Sequence, residues 1–279
     1  MGLAVLTLSG PLAGSAQAPL PPDSLEFGAA VRAATARYQD RAVAIADGYR
    51  AIGPDAPAMG QHWVHPRRVL GGRVDPAEPS ILMYTAIDGT TTLIGVAYAR
   101  ALVAGEADPA APARASDWHF HSGSVTDEAT LPDHTGHLAG REDQARVAVL
   151  HAWTGVPNPA GPFAADNWAL PFLRLGLTPP ADPDRTVARG LSLLAGGALF
   201  FTEQLGSVAD LGGPALRRAR GRFEQGAAEL ARWWSRRATR KELSENDARD
   251  VQLRWNTVVE AVLREVPVAA RGRLRAAWL

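Results

Sequence analysis

The chain has 279 residues, 46% of them hydrophobic, which suffices for one large domain or for a domain with an appended helical part. Lysine plus arginine and aspartate plus glutamate number 29 each, so net charge does not attract nucleic acid or an anionic membrane over long distances. The sequence contains no cysteine, which excludes disulfides, thiolate metal sites and cysteine nucleophiles. With only three methionines, imidazole and oxygen are the ligands that remain for a metal.

Residues 1–22 have the composition of a secretory signal peptide, although no basic residue precedes their apolar run. Gly14 and Ala16 are small residues that suit cleavage after Ala16. The pattern predicts a periplasmic or secreted protein. The alternatives are a disordered tail or an incorrectly assigned start codon on a cytoplasmic protein.

Residues 23–49 have apolar side chains at helical spacing, and Asp23 with Glu26 forms an N-terminal capping pair. The repeating positions are Phe27, Val31, Ala34, Tyr38, Ala42, Ile45 and Tyr49. Gly48 is the natural end of such a helix. The spacing predicts one amphipathic helix that packs on a sheet or on another helix.

Strands are predicted on both sides of Asp88-Gly89. Residues 80–87 and 90–98 are rich in β-branched and aromatic residues, and a two-residue Asp-Gly connection is typical of a hairpin. The acidic, proline-containing residues 104–116 are then a surface loop.

The run Trp118-His119-Phe120-His121 carries the main candidate site. In a strand, alternate side chains share a face, so two imidazoles lie on one side and two aromatic rings on the other. His151, in the predicted strand 146–153, offers a third nitrogen. Three histidines plus water form an open centre for Zn(II), with Cu(II) or Fe(II) as alternatives. The competing interpretation is a set of hydrogen-bonded interior histidines.

Two further sets of polar residues are candidates for the same site. If residues 52–73 are extended, His62 and His65 point to opposite faces, so at most one of them joins the site as a fourth ligand. Asp166 and Asn167 follow in a loop rich in proline and glycine. They are either partners that orient a ligand histidine or turn-forming residues.

Residues 125–144 are polar and are interrupted by proline and glycine. The length of this segment makes it a candidate lid over the site. His134 and His137 within it are possible extra ligands, although a solvated loop histidine is the more common case.

Beyond the proline-rich residues 179–183 the pattern becomes helical. The apolar residues 191–201 are too few to span a bilayer and indicate a buried helix. Ser244 with Asp247 begins a later helix. The inner face of that helix is marked by Val251, Trp255, Val258, Val259, Val262 and Val266. A helical hairpin or three-helix unit is expected.

Residues 212–241 carry nine basic side chains against Glu224 and Glu229. Such a segment could contact phosphate or an anionic membrane surface. A solvated helix face is the preferred interpretation, because arginine stems cover apolar neighbours and the chain as a whole is neutral.

Several segments resemble an uncharacterised family of mostly exported bacterial proteins. They are ATARY, ADGY, MGQHWVHP, and LHAW with NPAGPFA, within residues 34–164. The resemblance implies joint importance of His62 and His151 but names no reaction. The family more usually has asparagine where this chain has His65, which argues against His65 as a ligand.

A second, local resemblance is to the α-carbonic anhydrases. Their F-H-F-H-x-G-S strand and L-H strand supply three zinc histidines, and here WHFHSGS from Trp118 and Leu150-His151 occur in that order at a longer separation. The remaining strands and the proton-relay residues of that family are not found. The resemblance implies convergence on a zinc geometry.

The expected fold is α+β: an N-terminal helix on a mostly antiparallel sheet within residues 23–178, followed by a helical unit over residues 184–279. The principal functional hypothesis is an exported protein that binds a divalent metal as carrier, binder or metal-stabilised module. A zinc-dependent hydrolase or hydratase and an interaction protein without metal are the alternatives. Nucleotide-binding and serine-hydrolase motifs are absent from the sequence, and neither a nucleic-acid partner nor an integral membrane span is expected. The sequence leaves open whether the chain has a protein partner.

Overall fold

The structure, a computed structural model, describes residues 22–121, 145–181, 184–206, 213–237 and 242–279. An N-terminal helix lies on an antiparallel sheet, and further helices follow, so the α+β prediction is confirmed. The strands are β1 Arg50–Ala56, β2 Gly60–Val64, β3 Ile81–Ile87, β4 Thr90–Leu102, β5 Trp118–His121 and β6 Arg146–Ala152. The helices are α1 Pro22–Thr35, α2 Arg41–Asp47, α3 Pro66–Gly71, α4 Leu170–Arg174, α5 Arg185–Ser192, α6 Ala198–Gly206, α7 Gly213–Ser235, α8 Glu245–Leu263 and α9 Val268–Trp278.

The prediction of one continuous helix over residues 23–49 is wrong at its centre. A 3-10 turn, Ala36–Gln39, separates α1 from α2. Asp40 then adopts an extended conformation, and its carboxylate accepts a hydrogen bond from the Ala42 amide, which starts α2 as a new helix. Gly48, at φ 105°, ends α2 as predicted, because glycine adopts the left-handed conformation without a steric penalty.

The six strands form one sheet in the order β1-β2-β3-β4-β6-β5, and every neighbouring pair is antiparallel. The predicted hairpin joins β3 to β4, where Asp88 and Gly89 both have positive φ. The sequence predicts no individual strands at the positions of β1 and β2. They lie in the segment rich in glycine and proline, and Gly60 is required there because a Cβ would lie 2.6 Å from the Tyr84 carbonyl oxygen.

One face of the sheet packs against α1 and α2 and forms an aromatic core. Trp118 and Phe120 of β5 join it, together with Phe27 and Val31 of α1. The opposite face therefore receives His119 and His121, as the alternation in β5 predicts. Burial of the aromatic pair fixes which way β5 faces, since a shift of one residue would exchange the two sets.

Residues 184–279 contribute more helices than the expected three-helix unit: α5 to α9 are five in the described part of that segment. The apolar run 191–201 is not one helix, because Ala195 and Gly196 leave helical geometry and produce a kink before α6. Ser244 caps α8 by accepting from the Asp247 amide, as predicted. None of the described helices is long and apolar enough to cross a bilayer.

The C-terminal helices share one buried cluster with the edge of the sheet. Ala56 and Met59, from β1 and the turn after it, belong to the same cluster as Phe201 of α6 and Trp255 of α8. The helices therefore pack over the β1 end of the face that carries the histidines. The signal-like residues 1–21 lie outside the described residues.

Candidate functional site

Four histidines line one cavity on the sheet face opposite α1. His62 comes from β2, His119 and His121 from β5, and His151 from β6. His119 and His151 are 3% and 1% exposed, so two imidazoles are well removed from solvent. The three main candidate ligands and His62, the candidate fourth ligand, thus line one cavity.

The convergence of His62 with His151 depends on strong curvature of the sheet. Strands β2 and β6 are separated by β3 and β4, so in a flat sheet these residues would be at least about 14 Å apart. Their ring centroids are only 6.1 Å apart. The histidine face is therefore concave, and it brings the His62 ring close to the His151 ring.

Small residues lie at alternate positions of β4, and one of them, Ala99, lines the cavity. Gly95, Ala97 and Ala99 alternate with Val96 and Tyr98. A Cβ at Gly95 would lie 2.8 Å from both the Ala152 carbonyl oxygen and the Met83 side chain, which leaves no room for a larger residue. A register shift at Met83 in the neighbouring strand adds local twist. These features allow the sheet to curl at its centre.

The cavity has a volume of about 420 Å³ and a mostly apolar lining. Besides the four histidines it is lined by Ile52, Gly53, Pro54, Ala56, Met59, Val64, Val69, Ile81, Ala99, Val147, Val149 and Phe200. Within the described chain, the lining residues include no aspartate, glutamate, lysine or arginine. Among the described side chains that line the cavity, the polar atoms available to bind a ligand are therefore the imidazole nitrogens.

Two ring separations match the spacing expected for imidazoles on a common ion, and His119 takes part in both. A Zn–N bond is about 2.0–2.1 Å, and the ring centroid lies about 1.1 Å beyond the nitrogen, so tetrahedral ligand rings are centred about 5.2 Å apart. The observed separations are 4.8 Å for His119 with His151 and 5.2 Å for His119 with His121. The His62 ring, 6.1 Å from that of His151, lies farther out.

The imidazoles do not yet form a coordinating set. Across the described ranges, no group of three or more histidine, aspartate or glutamate side chains stands in metal-binding geometry. The distance between ring centroids gives the position of each imidazole but not the direction of its nitrogens. Coordination also requires a rotation about χ2 that directs the nitrogens to one point. That torsion has a broad energy minimum in histidine. Coordination of a metal ion by these residues would require reorientation of the rings within the cavity.

A backbone carbonyl orients His151. Its Nδ1 makes a short hydrogen bond to the Ala165 carbonyl oxygen, and because a carbonyl only accepts, Nδ1 must carry the proton. The lone pair of the neutral ring is then on Nε2. A ligand histidine is commonly held in this way by a carbonyl on its other nitrogen.

The loop after β6 places that carbonyl. The Trp153 amide donates to the Pro162 carbonyl at 2.9 Å, and the Trp153 indole donates to the Ala164 carbonyl at 2.7 Å. These bonds fold the loop back along the strand end. Asn167 has the turn-forming role, since its side-chain oxygen accepts from the Ala169 amide. The orienting group at His151 is thus a backbone atom.

Burial and a neighbouring imidazole change the acidity of His62. Desolvation in the cavity, and secondarily the charge of His121, lower the pKa of His62 from 6.5 to about 4. The ring therefore stays neutral at physiological pH. A neutral imidazole is the form that binds a metal ion.

The lowered pKa of His62 predicts acid sensitivity of the metal-free protein. Above pH 6.5 the ring is neutral in both native and unfolded chains, whereas below it the unfolded chain takes up the proton first and is favoured. We expect a loss of about 2 kcal/mol of unfolding free energy at pH 5 relative to pH 7 from this residue.

Urea unfolding at both pH values, with a chelator present, measures this loss. His62→Gln should remove about 2 kcal/mol of the pH dependence, since glutamine does not titrate. An unchanged pH dependence in His62→Gln would contradict the prediction.

His65 and the described part of the basic segment do not line the cavity. His65 begins α3, where its Nδ1 accepts from the Arg68 amide and its ring lies edge-on to Tyr49, away from the cavity lining. The candidate lid, with His134 and His137, lies outside the described residues. In the basic segment, Arg218 contacts Glu265 at 2.7 Å, on the helical side of the molecule.

Comparison of the chain with protein-family models, with curated proteins and with solved structures finds no match. The residues of this chain are therefore the only basis for assigning a function.

Proposed function

We propose that the protein binds one divalent metal ion, Zn(II) before Cu(II) or Fe(II), through His119, His121 and His151. The observation that carries this proposal is the convergence of imidazoles from β5 and β6 at ring separations of 4.8 and 5.2 Å on a concave face. Three neutral nitrogens suit these borderline metal ions. The hydrogen bond that fixes the His151 tautomer supports the same assignment.

Whether His62 coordinates the ion distinguishes two kinds of metal protein. Its ring lies about 0.9 Å beyond the spacing expected for a fourth tetrahedral ligand, relative to His151. If it moves in, the four nitrogens saturate the ion and the protein is a metal carrier or a metal-stabilised binder. If it stays out, water occupies the fourth position, and its pKa falls towards about 7.

A hydrolase or hydratase is the second candidate, and the cavity favours it. A volume of about 420 Å³ next to the imidazoles leaves space for a substrate beside a metal-bound hydroxide. The hydroxide would attack a carbonyl, a phosphoryl group or carbon dioxide. Export of the protein is a separate proposal that depends on residues 1–22.

The proposal is tested on protein purified without a histidine tag and stripped with a chelator. We expect titration with Zn(II), followed by calorimetry and elemental analysis, to show one equivalent bound. Co(II) should give the intense visible absorption of a four- or five-coordinate nitrogen site. Substoichiometric, non-saturating binding would overturn the proposal and favour an interaction protein without metal.

His62→Ala separates carrier from enzyme. A fall of less than about tenfold in Zn(II) affinity is expected for a three-histidine site, because the coordinating set is intact and only a neighbouring group is lost. A much larger fall would identify a saturated four-histidine site. Esterase and carbon dioxide hydration assays, with His119→Ala as the inactive control, then test whether the open position supports catalysis.

A further inference from the structure

A second cavity of the molecule is lined mainly by charged side chains. Its volume of about 340 Å³ falls within the range of small-molecule sites, about 300–1,000 Å³. This arginine cavity is formed by α3 and the residues on either side of it, and it is lined by His65, Arg67, Arg68, Gly71, Arg73 and Glu78. Three guanidinium groups at one cavity repel one another, so an anion bound between them would be stabilised by all three.

Buried tyrosines hold one of these guanidinium groups in place. Arg68 Nη1 donates to the hydroxyl of Tyr38, at 3.3 Å, and to that of Tyr49, which in turn donates to the Pro79 carbonyl at 2.6 Å. Burial raises the pKa of Tyr49, so its hydroxyl stays neutral and leaves the charge of Arg68 intact. The two tyrosine contacts use Nη1, whereas the Nε–Nη2 edge has the fork geometry that binds an oxyanion through two hydrogen bonds.

The carboxylates that the structure describes near these arginines are held loosely or are paired elsewhere. Arg73 lies 3.6 Å from both Asp75 and Glu78, beyond hydrogen-bonding distance, and its side chain is 72% exposed. Exposed pairs of this kind contribute little to stability. Asp47, behind the tyrosines, pairs with Arg37 at 2.7 Å. Arg73 can therefore turn to a bound anion at small cost, while Glu78 in the cavity lining repels that anion.

We infer that the arginine cavity binds a phosphate monoester, whose terminal oxygens accept hydrogen bonds from Arg67, Arg68 and Arg73. Such a group carries a charge of about −1.5 to −2 and three strong acceptor oxygens, which match three guanidinium groups better than the two oxygens of a carboxylate do. His65 adds an N–H donor to the lining, because its Nδ1 accepts from the Arg68 amide and Nε2 of the neutral ring then carries the proton. This inference goes beyond the metal centre and does not depend on it.

The test is calorimetric titration of the full chain with glycerol phosphate. The protein is first stripped of metal and then freed of the chelator, so that no ion in the histidine cavity contributes to binding. The pH is kept above the second pKa of the ester, about 6, so that the dianion predominates. Glycerol phosphate should bind at least about tenfold more tightly than acetate. Equal affinities for the two anions would overturn the inferred ligand class.

Arg67→Gln should lower the affinity for glycerol phosphate about three- to tenfold, because one of the three guanidinium groups is lost. Arg67 is exposed, so the substitution should leave the fold unchanged. Arg220→Gln is the matched control, since it removes the same charge from an exposed position of α7 that does not line the arginine cavity. Equal losses in the two variants would show general charge attraction and would overturn the inference.

Glu78→Gln should have the opposite effect and raise the affinity about two- to fivefold. The substitution removes the negative charge from the lining and releases Arg73 from its contact with that carboxylate. Damage to the fold would not produce a gain in affinity. An unchanged or lower affinity would place the ester outside this cavity and overturn the inference.

Sedimentation with phosphatidylcholine vesicles, with and without phosphatidic acid, distinguishes two sources of the phosphate monoester. Binding of glycerol phosphate without sedimentation identifies a small soluble molecule. Sedimentation that requires both phosphatidic acid and Arg67 identifies a lipid head group. Either result supports the inferred chemistry, whereas binding of neither ligand overturns it.

Discussion

Replacing His119 or His151 with alanine is expected to lower the affinity for Zn(II) by more than about 100-fold. Loss of a group that merely orients a ligand typically costs 10- to 100-fold, and removal of a coordinating nitrogen should cost at least as much. His119 is the ring that lies within coordination spacing of both His121 and His151. Competition with a chromophoric chelator measures the affinities.

The matched control is His65→Asn. It removes a histidine only three residues from His62, outside the cavity, and asparagine can retain the capping role at the start of α3. Zn(II) affinity in this variant should equal that of the parent. Equal losses in His65→Asn and His151→Ala would show that histidine content, rather than the cavity, determines binding, and would contradict the site.

The local geometry of the site follows from the sequence. The alternation in Trp118-His119-Phe120-His121 is sufficient to predict which face of the sheet carries the two histidines. A strand has a period of two, and only one face can accept the aromatic pair. Asp88-Gly89 similarly specifies the hairpin, since few residues tolerate positive φ at both positions. In both cases the determining interaction lies within a few residues of the pattern.

The position of His62 close to the other histidines depends on the arrangement of the whole sheet. It requires that β2 approach β6 across two intervening strands, which local periodicity does not specify. A sequence signal does exist: Gly95, Ala97 and Ala99 are small at every second position of a strand whose other face is large. Such a strand indicates a concave face or a closely packed neighbour.

Two other features of the structure cannot be predicted from the pattern of side chains. The group that orients His151 is the carbonyl of Ala165, and a backbone atom leaves no signature in the identity of its residue. Strand β1 contains Gly53 and Pro54, which argue against a strand in any local interpretation. Strand β1 tolerates Pro54 because it lies at the edge of the sheet. The N–H that proline lacks would be needed for a hydrogen bond in a central strand but is not needed there.

Trp255→Ala is expected to reduce the free energy of unfolding by about 3–5 kcal/mol. Trp255 is fully buried in α8, and its indole donates to the Trp278 carbonyl at 2.7 Å. Its ring also lies 5.4 Å from that of Phe201. The substitution creates a large cavity and leaves a buried carbonyl without this donor, so both effects act in the same direction. Urea unfolding measures the loss.

Trp234→Ala is the control, because this tryptophan of α7 is only half-buried. We expect this variant to lose about 1 kcal/mol of unfolding free energy.

The two variants also test whether the C-terminal helices stabilise the histidine cavity. Trp255 supports Phe201, and the adjacent Phe200 lines the histidine cavity, while Ala56 and Met59 belong both to the cavity lining and to the cluster around Trp255. Far-UV circular dichroism and Co(II) absorption of the loaded protein should therefore be lost in one transition. An early helical transition in Trp255→Ala that leaves the Co(II) spectrum unchanged would show that the sheet holds the site without the helices.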